Sequence, residues 1–362
     1  MKVFFYVQHL LGIGHLKRAA ALSRALEHAG FQVTLASGGA PVPGIRVLQL
    51  PSVSSTDFKN LLDEHGQPVD EAWKARRRDR LLEAFHENSP DALVIELFPF
   101  GRRQMRFELI PLLEAASAAP RRPLIVCSVR DLLQPNPARE AEAAERFERY
   151  FDRLLVHGDP RVAAFEHSFG GAARLAAKLH YTGYVVDQAP AAGDAGSGEV
   201  LVSAGGGAVG RALLETAIRA RPLTRLSHCT WRVLAGVNAK DLDALQGEGV
   251  IVERARNDFT LRLRNCVLSV SQAGYNTVME TLQAGARAVL VPYAGGAESE
   301  QTSRARLLAR RGLVQVVEED ALTPAALAAA IDRAAAAPRP APDAIDLNGA
   351  QRTAELLREW LR

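Results

Sequence analysis

Short, solidly apolar runs alternate with helical patterns almost from end to end, glycines stand at helix ends, and one aperiodic stretch halves the chain. Together these predict an α/β protein of two doubly wound domains with parallel sheets covered on both faces. At 362 residues the chain can bury two full hydrophobic cores. In the first half, strands are expected at 3–7, 32–36, 92–96, 124–128 and 153–156, and a helix at 16–29 ends at Ala29-Gly30, where glycine accepts a left-handed turn. In the second half, strands are expected at 199–203, 230–234, 250–252, 267–270, 288–291 and 313–317, with helices at 209–219, 276–284 and 299–310. Arg311-Gly312 marks a helix end, and Thr323-Pro324 reads as an N-cap followed by proline at the first helical position. The stretch 188–198 has neither periodicity nor a large apolar side chain and reads as a linker. The expected domains are 1–187 and 199–345. A final amphipathic helix lies in 346–362, with a return to the first domain as one option for it.

Composition narrows the classes. With 48% hydrophobic and 23% charged residues the chain is not disordered, and a net charge of +3 does not by itself imply a nucleic-acid partner. Cys127, Cys229 and Cys266 lie far apart, without metal-ligand spacing, which suits buried thiols in a reducing compartment. The first residues read as a buried strand rather than a signal peptide, and no run approaches the ~18 apolar residues of a membrane span. A soluble cytoplasmic protein is expected.

Four constellations carry chemistry. Gly12-Ile13-Gly14-His15 follows the first strand and opens a helix, so His15 should project from the carboxyl edge of the sheet, where such folds bind ligands. A histidine there can take a proton from a hydroxyl. Glu96 ends the strand 92–96 and can orient that imidazole, with Asp131 as a rival for the same role; a structural ion pair, Glu96–Arg102 or Arg130–Asp131, is the alternative. Ser203-Ala204-Gly205-Gly206-Gly207 exposes consecutive amides before a helix, suited to a pyrophosphate; it lacks the Lys-Ser/Thr of a P-loop. A dinucleotide fold would also place glycines here, but no acid ends the strand 230–234.

The fourth constellation is Ser271-Gln272-Ala273-Gly274-Tyr275-Asn276-Thr277 with Glu280, followed after a strand by Glu300-Gln301. Free amides at a helix start attract phosphate, Gly274 lets the backbone approach, and Glu280, one turn on, can accept hydrogen bonds from a ribose diol. The bland reading is a capped helix with a solvated Glu280. The conjunction points to a nucleotide-sugar pocket.

These residues resemble the GT-B glycosyltransferases, in particular the branch holding the peptidoglycan N-acetylglucosaminyltransferase MurG and the UDP-glycosyltransferases. Ser271–Thr277 with Glu280 is similar to the HCGWNS…E segment of plant UDP-glycosyltransferases and the SGAxT…E segment of MurG. The resemblance implies two Rossmann-like domains with a cleft between them. It places Gly274, Asn276 and Thr277 at the donor phosphates, Glu280 at the ribose, Glu300 and Gln301 at sugar hydroxyls, and Ser271, Gln272 and Tyr275 in the donor site around them. Gly14 and His15 match the family's N-terminal Gly-His, whose histidine is the catalytic base in many members, and Glu96 its carboxylate partner. Gly205, Gly206 and Gly207 match the loop opening the donor domain. Two departures stand out: Gln272 replaces a phosphate-contacting histidine, so Arg254, Arg256 or Arg211 would supply charge, and the Trp platform for uracil is absent.

The expected activity is therefore inverting, metal-independent transfer of a sugar from a UDP-sugar to a hydroxyl acceptor, with no cofactor beyond that co-substrate. Basic stretches at 73–82 and 102–107 with interleaved apolar residues make an anionic membrane surface and a lipid acceptor options; a solvated helix face is the alternative for the first. A UDP-sugar 2-epimerase of the same fold and a non-catalytic nucleotide-sugar-binding protein are the rivals.

Overall fold

The computed structural model describes residues 1–362 except 11, 43, 56–59, 190–191, 205–209, 237–245, 255, 296–298 and 342. The chain forms two compact units, Met1–Val185 with Asn348–Arg362, and Val186–Leu347. The first contains, in order, β1 (Lys2–Val7), α1 (Gly14–His28), β2 (Gln32–Ser37), β3 (Leu48–Gln49), α2 (Glu71–Asn88), β4 (Ala92–Glu96), α3 (Arg106–Ala118), β5 (Leu124–Arg130), α4 (Pro137–Tyr150), β6 (Arg153–His157), α5 (Ala172–Leu175) and β7 (Leu179–Tyr181). The second contains β8 (Glu199–Ser203), α6 (Arg211–Ala220), β9 (Thr230–Ala235), β10 (Val250–Arg254), α7 (Phe259–Asn265), β11 (Leu268–Ser271), α8 (Tyr275–Gln283), β12 (Ala288–Leu290), α9 (Glu300–Arg310), β13 (Gln315–Val316) and α10 (Pro324–Ala336). The last helix, α11 (Gly349–Trp360), belongs to the first unit.

Both sheets are parallel. The first has the order β3-β2-β1-β4-β5-β6-β7 and the second β10-β9-β8-β11-β12-β13. In each, the chain starts centrally, winds outward to one edge, and returns to wind toward the other. The order therefore reverses between β1 and β4 in the first unit and between β8 and β11 in the second. Open α/β sheets bind ligands beyond the carboxyl ends of their strands at such reversals, because the connections leave in opposite directions and open a crevice.

Apolar strands explain the layering. Every residue of Val3–Val7 and Ala92–Glu96 is buried, so both faces of these central strands need cover. One face packs Trp73, Leu81 and Phe85 of α2 and Leu109, Leu112 and Leu113 of α3. The other packs Leu16, Leu22 and Leu26 of α1 together with Leu356 and Leu357 of α11. The second unit's core gathers Leu213 and Ala217 of α6 and Leu327 and Ile331 of α10 around Val200, Trp231 and Val270. Helix ends follow local chemistry: Gly30 and Gly312 take φ of 86° and 72° after α1 and α9, and the Thr323 hydroxyl accepts the Ala326 amide at the start of α10. The two-residue β3 and three-residue β7 were outside the sequence expectation, being too short to carry a period. Residues 186–198 group with the second unit, where Asn265 Nδ2 donates to the carbonyls of Gly193 and Ala195 at 2.8 and 3.0 Å.

The basic stretches have structural partners. Arg77 is fully buried and holds Glu108 through Nε at 2.6 Å, and its Nη2 donates to Gln8 at 2.6 Å. On the same helix Arg78 pairs with Asp79 and Arg80 with Glu83. Arg106 reaches Glu142 at 3.3 Å. Arg77 is thus a core residue tying α2 to α3 and β1, not part of a membrane-facing surface.

Candidate functional site

The reversal in the first unit brings together residues from four strands. β1 leads through the turn at Gly12–Gly14 into α1, which carries His15 and, one turn later, Arg18; β4 ends in Glu96. His15 Nδ1 donates to Glu96 Oε1 at 3.1 Å, and Arg18 pairs with the same oxygen. Arg18 also lies 3.3 Å from His15 Nδ1, but a nitrogen that carries a proton cannot accept from it, so the carboxylate sets the tautomer. Among the described residues the ring's partners lie at Nδ1, which leaves Nε2 as the lone-pair nitrogen.

The electrostatics match that assignment. Burial pushes the His15 imidazole down to about 3, and Arg102, Arg18 and Arg130 add to the shift against the opposing hydrogen bond from Glu96. His15 is therefore neutral at pH 7, with its side chain 13% exposed. Burial alone would raise the Glu96 carboxyl, but Arg18, His15 and the Ser128 hydroxyl outweigh it and hold the group well below the usual carboxylate range. Burial, and then the neighbouring Arg130, bring Arg102 down to about 10. The chain just past Glu96 is strained: Leu97 and Arg102 adopt φ of 70° and 57° without being glycine.

Asp131 is buried beside Gly158 and is not a hydrogen-bond partner of His15; Glu96 holds that position. Nor does Glu96 pair with Arg102, whose Nε donates to the Gln8 carbonyl at 2.7 Å. Sequence reasoning missed Arg18, although its spacing of three from His15 on one helix places both on one face. It also missed Ser128 on β5 and His157 on β6, both fully buried behind Glu96.

The reversal in the second unit is built differently. Ser203 and Ser271, the last residues of β8 and β11, are direct register partners. The predicted Gly205, Gly206 and Gly207 lie outside the described residues. Ser271 is fully buried, and its hydroxyl has no hydrogen-bond partner among the described residues. After it, Gln272, Ala273 and Gly274 lead into α8, which begins without any side-chain cap. A helix start of this kind, entered through glycine, has the polarity that favours an anion. Tyr275 is buried, while Asn276, Thr277 and Glu280 are half-buried along α8. Gly210, at the start of α6, takes φ of 131°; a Cβ there would lie 2.6 Å from Ala204 Cβ and 3.4 Å from the Gln272 amide nitrogen. Close packing thus draws the starts of the two helices together.

Glu300 opens α9 and is buried, and the Gln301 side chain accepts the Tyr293 amide at 3.2 Å, which ties down the loop before the helix. Of the arginines expected to supply extra charge, Arg256 pairs with Asp258 at 2.7 Å, Arg211 with Glu215 at 2.6 Å, and Arg254 is exposed at the end of β10. The buried cation beside the segment is Arg304 of α9. Its guanidinium lies over the Tyr275 ring, 5.4 Å from the centroid, and donates to the Ala273 carbonyl at 3.4 Å. A surface hollow of about 450 Å³ lined by Ala294, Thr302, Arg306 and Glu318–Asp320 contains none of the predicted residues. Among the described residues, no group of three His, Cys, Asp or Glu is placed to hold a metal ion, and no helix is long and apolar enough to cross a membrane.

Residues 231–357 match the glycosyltransferase family 28 C-terminal domain. Two curated relatives carry the name UDP-N-acetylglucosamine–N-acetylmuramyl-(pentapeptide) pyrophosphoryl-undecaprenol N-acetylglucosamine transferase. The protein from Ralstonia nicotianae is 31% identical over 142 residues, covering 36% of this chain and 39% of its own length. That from Bartonella quintana is 37% identical over 82 residues, covering 23% and 22%. The alignments thus span less than half of these relatives. Solved structures match over both units: a kitacinnamycin glycosyltransferase at TM-score 0.67 and 17% identity, covering 100% of this chain and 99% of that one, and MurG of Acinetobacter baumannii at 0.61 and 16%, covering 99% and 100%. The chain has the GT-B fold of two Rossmann-like domains and resembles the MurG branch of that fold, matching the glycosyltransferase family 28 C-terminal domain over residues 231–357.

Proposed function

We propose that this protein is an inverting, metal-independent glycosyltransferase that moves a sugar from a UDP-sugar to an acceptor hydroxyl. The observation that carries the proposal is the His15–Glu96 pair at the first unit's reversal, with Nδ1 on the carboxylate and Nε2 left as the base. Nε2 takes the proton of the acceptor hydroxyl, whose oxygen attacks the anomeric carbon as the bond to the UDP phosphate breaks. UDP leaves with its electron pair, the carbon inverts, and the imidazolium is stabilised by Glu96. A neutral histidine surrounded by guanidiniums is a weak base, so proton transfer comes late, once bonding to the anomeric carbon has made the hydroxyl proton acidic.

The second unit takes the donor in this reading. The glycine-entered start of α8 and the end of β11 at Ser271 receive the diphosphate, and Glu280 the ribose. The names of the curated relatives favour UDP as the nucleotide and a lipid-linked acceptor. An acceptor of that kind places the enzyme at the inner membrane surface, which co-sedimentation with anionic liposomes would test. The decisive experiment screens UDP-sugars for donor hydrolysis or transfer by the protein and by His15→Ala. The variant should lose about 10²–10⁴-fold in turnover while calorimetry finds UDP binding intact. Unchanged turnover would remove His15 as the base; epimerised donor without an acceptor would replace transfer with 2-epimerisation.

A further inference from the structure

Behind the His15–Glu96 pair, three more groups continue in one line. Ser128, the register partner of Glu96 on β5, places its hydroxyl 2.6 Å from Glu96 Oε2, the oxygen that His15 does not use. The same hydroxyl lies 3.0 Å from His157 Nε2, and His157 Nδ1 lies 2.9 Å from the Thr182 hydroxyl. Ser128 and His157 are fully buried and Thr182 is 1% exposed.

Counting protons fixes the direction of every link. Glu96 is ionised and only accepts, so the Ser128 proton lies toward it. Ser128 must then accept from His157, which places a proton on Nε2. Burial brings His157 down to about 3, so its ring is neutral and Nδ1 has no proton. Nδ1 therefore takes the Thr182 hydroxyl proton in competition with the Gly183 carbonyl, 2.8 Å from the same oxygen. Each donor points toward Glu96, and each bond polarises the next. A buried carboxylate with one oxygen on a base needs its other oxygen fixed, or it rotates; a short hydrogen bond from a strand residue does that without flexible side-chain atoms.

We propose that Ser128 and His157 are positioning residues that hold the Glu96 carboxylate facing His15 Nδ1 and so fix the tautomer that exposes Nε2. The proposal rests on the reading of His15 as the base, and the experiment separates the two. ¹⁵N NMR of histidine-labelled protein reports the His15 tautomer in the free enzyme, and steady-state kinetics reports turnover. Ser128→Ala should convert a single Nδ1–H form of His15 into a mixture and lower kcat about tenfold or more, with KM changed less than about twofold. Ser128→Thr, which keeps the hydroxyl, should recover both readouts, and His157→Phe should reproduce the Ser128→Ala result. If Ser128→Ala and His157→Phe fold, lose stability and keep the Nδ1–H tautomer with wild-type kcat, the pair is only core packing and the proposal falls. If His15→Ala leaves turnover unchanged, the base assignment falls instead, while the tautomer measurement still decides what Ser128 and His157 hold in place.

Discussion

At the first reversal point, side chains from α1, β4, β5, β6 and the segment after β7 hydrogen-bond one another in a buried line with charge at its centre. At the second, the strand ends carry serines, a glycine opens the helix, and in the proposed reading the donor is met chiefly by a helix start rather than by a line of side chains. The contrast follows from the chemistry each site is built for. A base must present one nitrogen in one tautomer, which only a chain of oriented partners can enforce. A diphosphate is a diffuse charge that any fan of N–H donors satisfies, so backbone suffices. The first site should therefore be coupled to the stability of its unit, and the second much less so.

Acid should separate the two most strongly. His15 and His157 sit near 3 in the folded first unit, against about 6.5 unfolded. Between these values the unfolded chain binds more protons, so stability falls as pH drops, by about 1.4 kcal/mol per pH unit for each histidine. His9 and His180, also lowered chiefly by burial, act in the same direction. The Glu96 contribution is present above the ordinary carboxylate range and begins to fade only below about pH 4.5. Hydrogen exchange read separately in the two units should show the first loosening between about pH 6.5 and 4.5, while the second, whose described site has no histidine, holds. Equal loosening of both would break the comparison.

Glu96→Gln comes next in size. It leaves the buried Arg18 without its carboxylate, a loss of about 3–5 kcal/mol for a broken buried pair. Urea unfolding should show that loss, and turnover should fall as well. A variant that loses turnover at wild-type stability would mean that Arg18 finds another partner.

The pieces differ in how readable they are from sequence. His15, Glu96 and the Ser271–Glu280 segment could be found because each lies immediately after an apolar strand, where sheet topology sends side chains to the carboxyl edge. The buried line was not legible, because Ser128 and His157 lie inside β5 and at the end of β6, where a polar residue in an apolar run reveals neither its face nor its neighbour. Arg304 was hidden in a run of arginines on α9 that looks solvated until the helix is docked on Tyr275. The choice between Glu96 and Asp131 needed strand order: β4 adjoins β1, and β5 is one strand further away.

In the second unit, Glu280→Ala should raise the Kd for UDP by about 10–100-fold, the usual loss for a hydrogen bond to a charged group. Glu280 is half-buried on α8, whereas Glu96 is 1% exposed. Thermal unfolding should therefore move much less than for Glu96→Gln. A large fall in the melting temperature with unchanged Kd would make Glu280 a structural residue and leave the ribose without a partner.

Gly210→Ala should have the smallest effect and tests whether backbone shape is the second site's working part. At φ of 131° any side chain is strained, and its Cβ would press on Ala204 and crowd Gln272. The cost should be about 1–2 kcal/mol of stability. The affinity for UDP should fall too, because the strain is relieved by moving the start of α6 away from the start of α8. The first unit should not notice, so its acid-dependent hydrogen exchange should remain that of the wild type. If Gly210→Ala costs stability and leaves UDP affinity untouched, the shape of this turn is only packing, and donor binding rests on α8 and Ser271 alone.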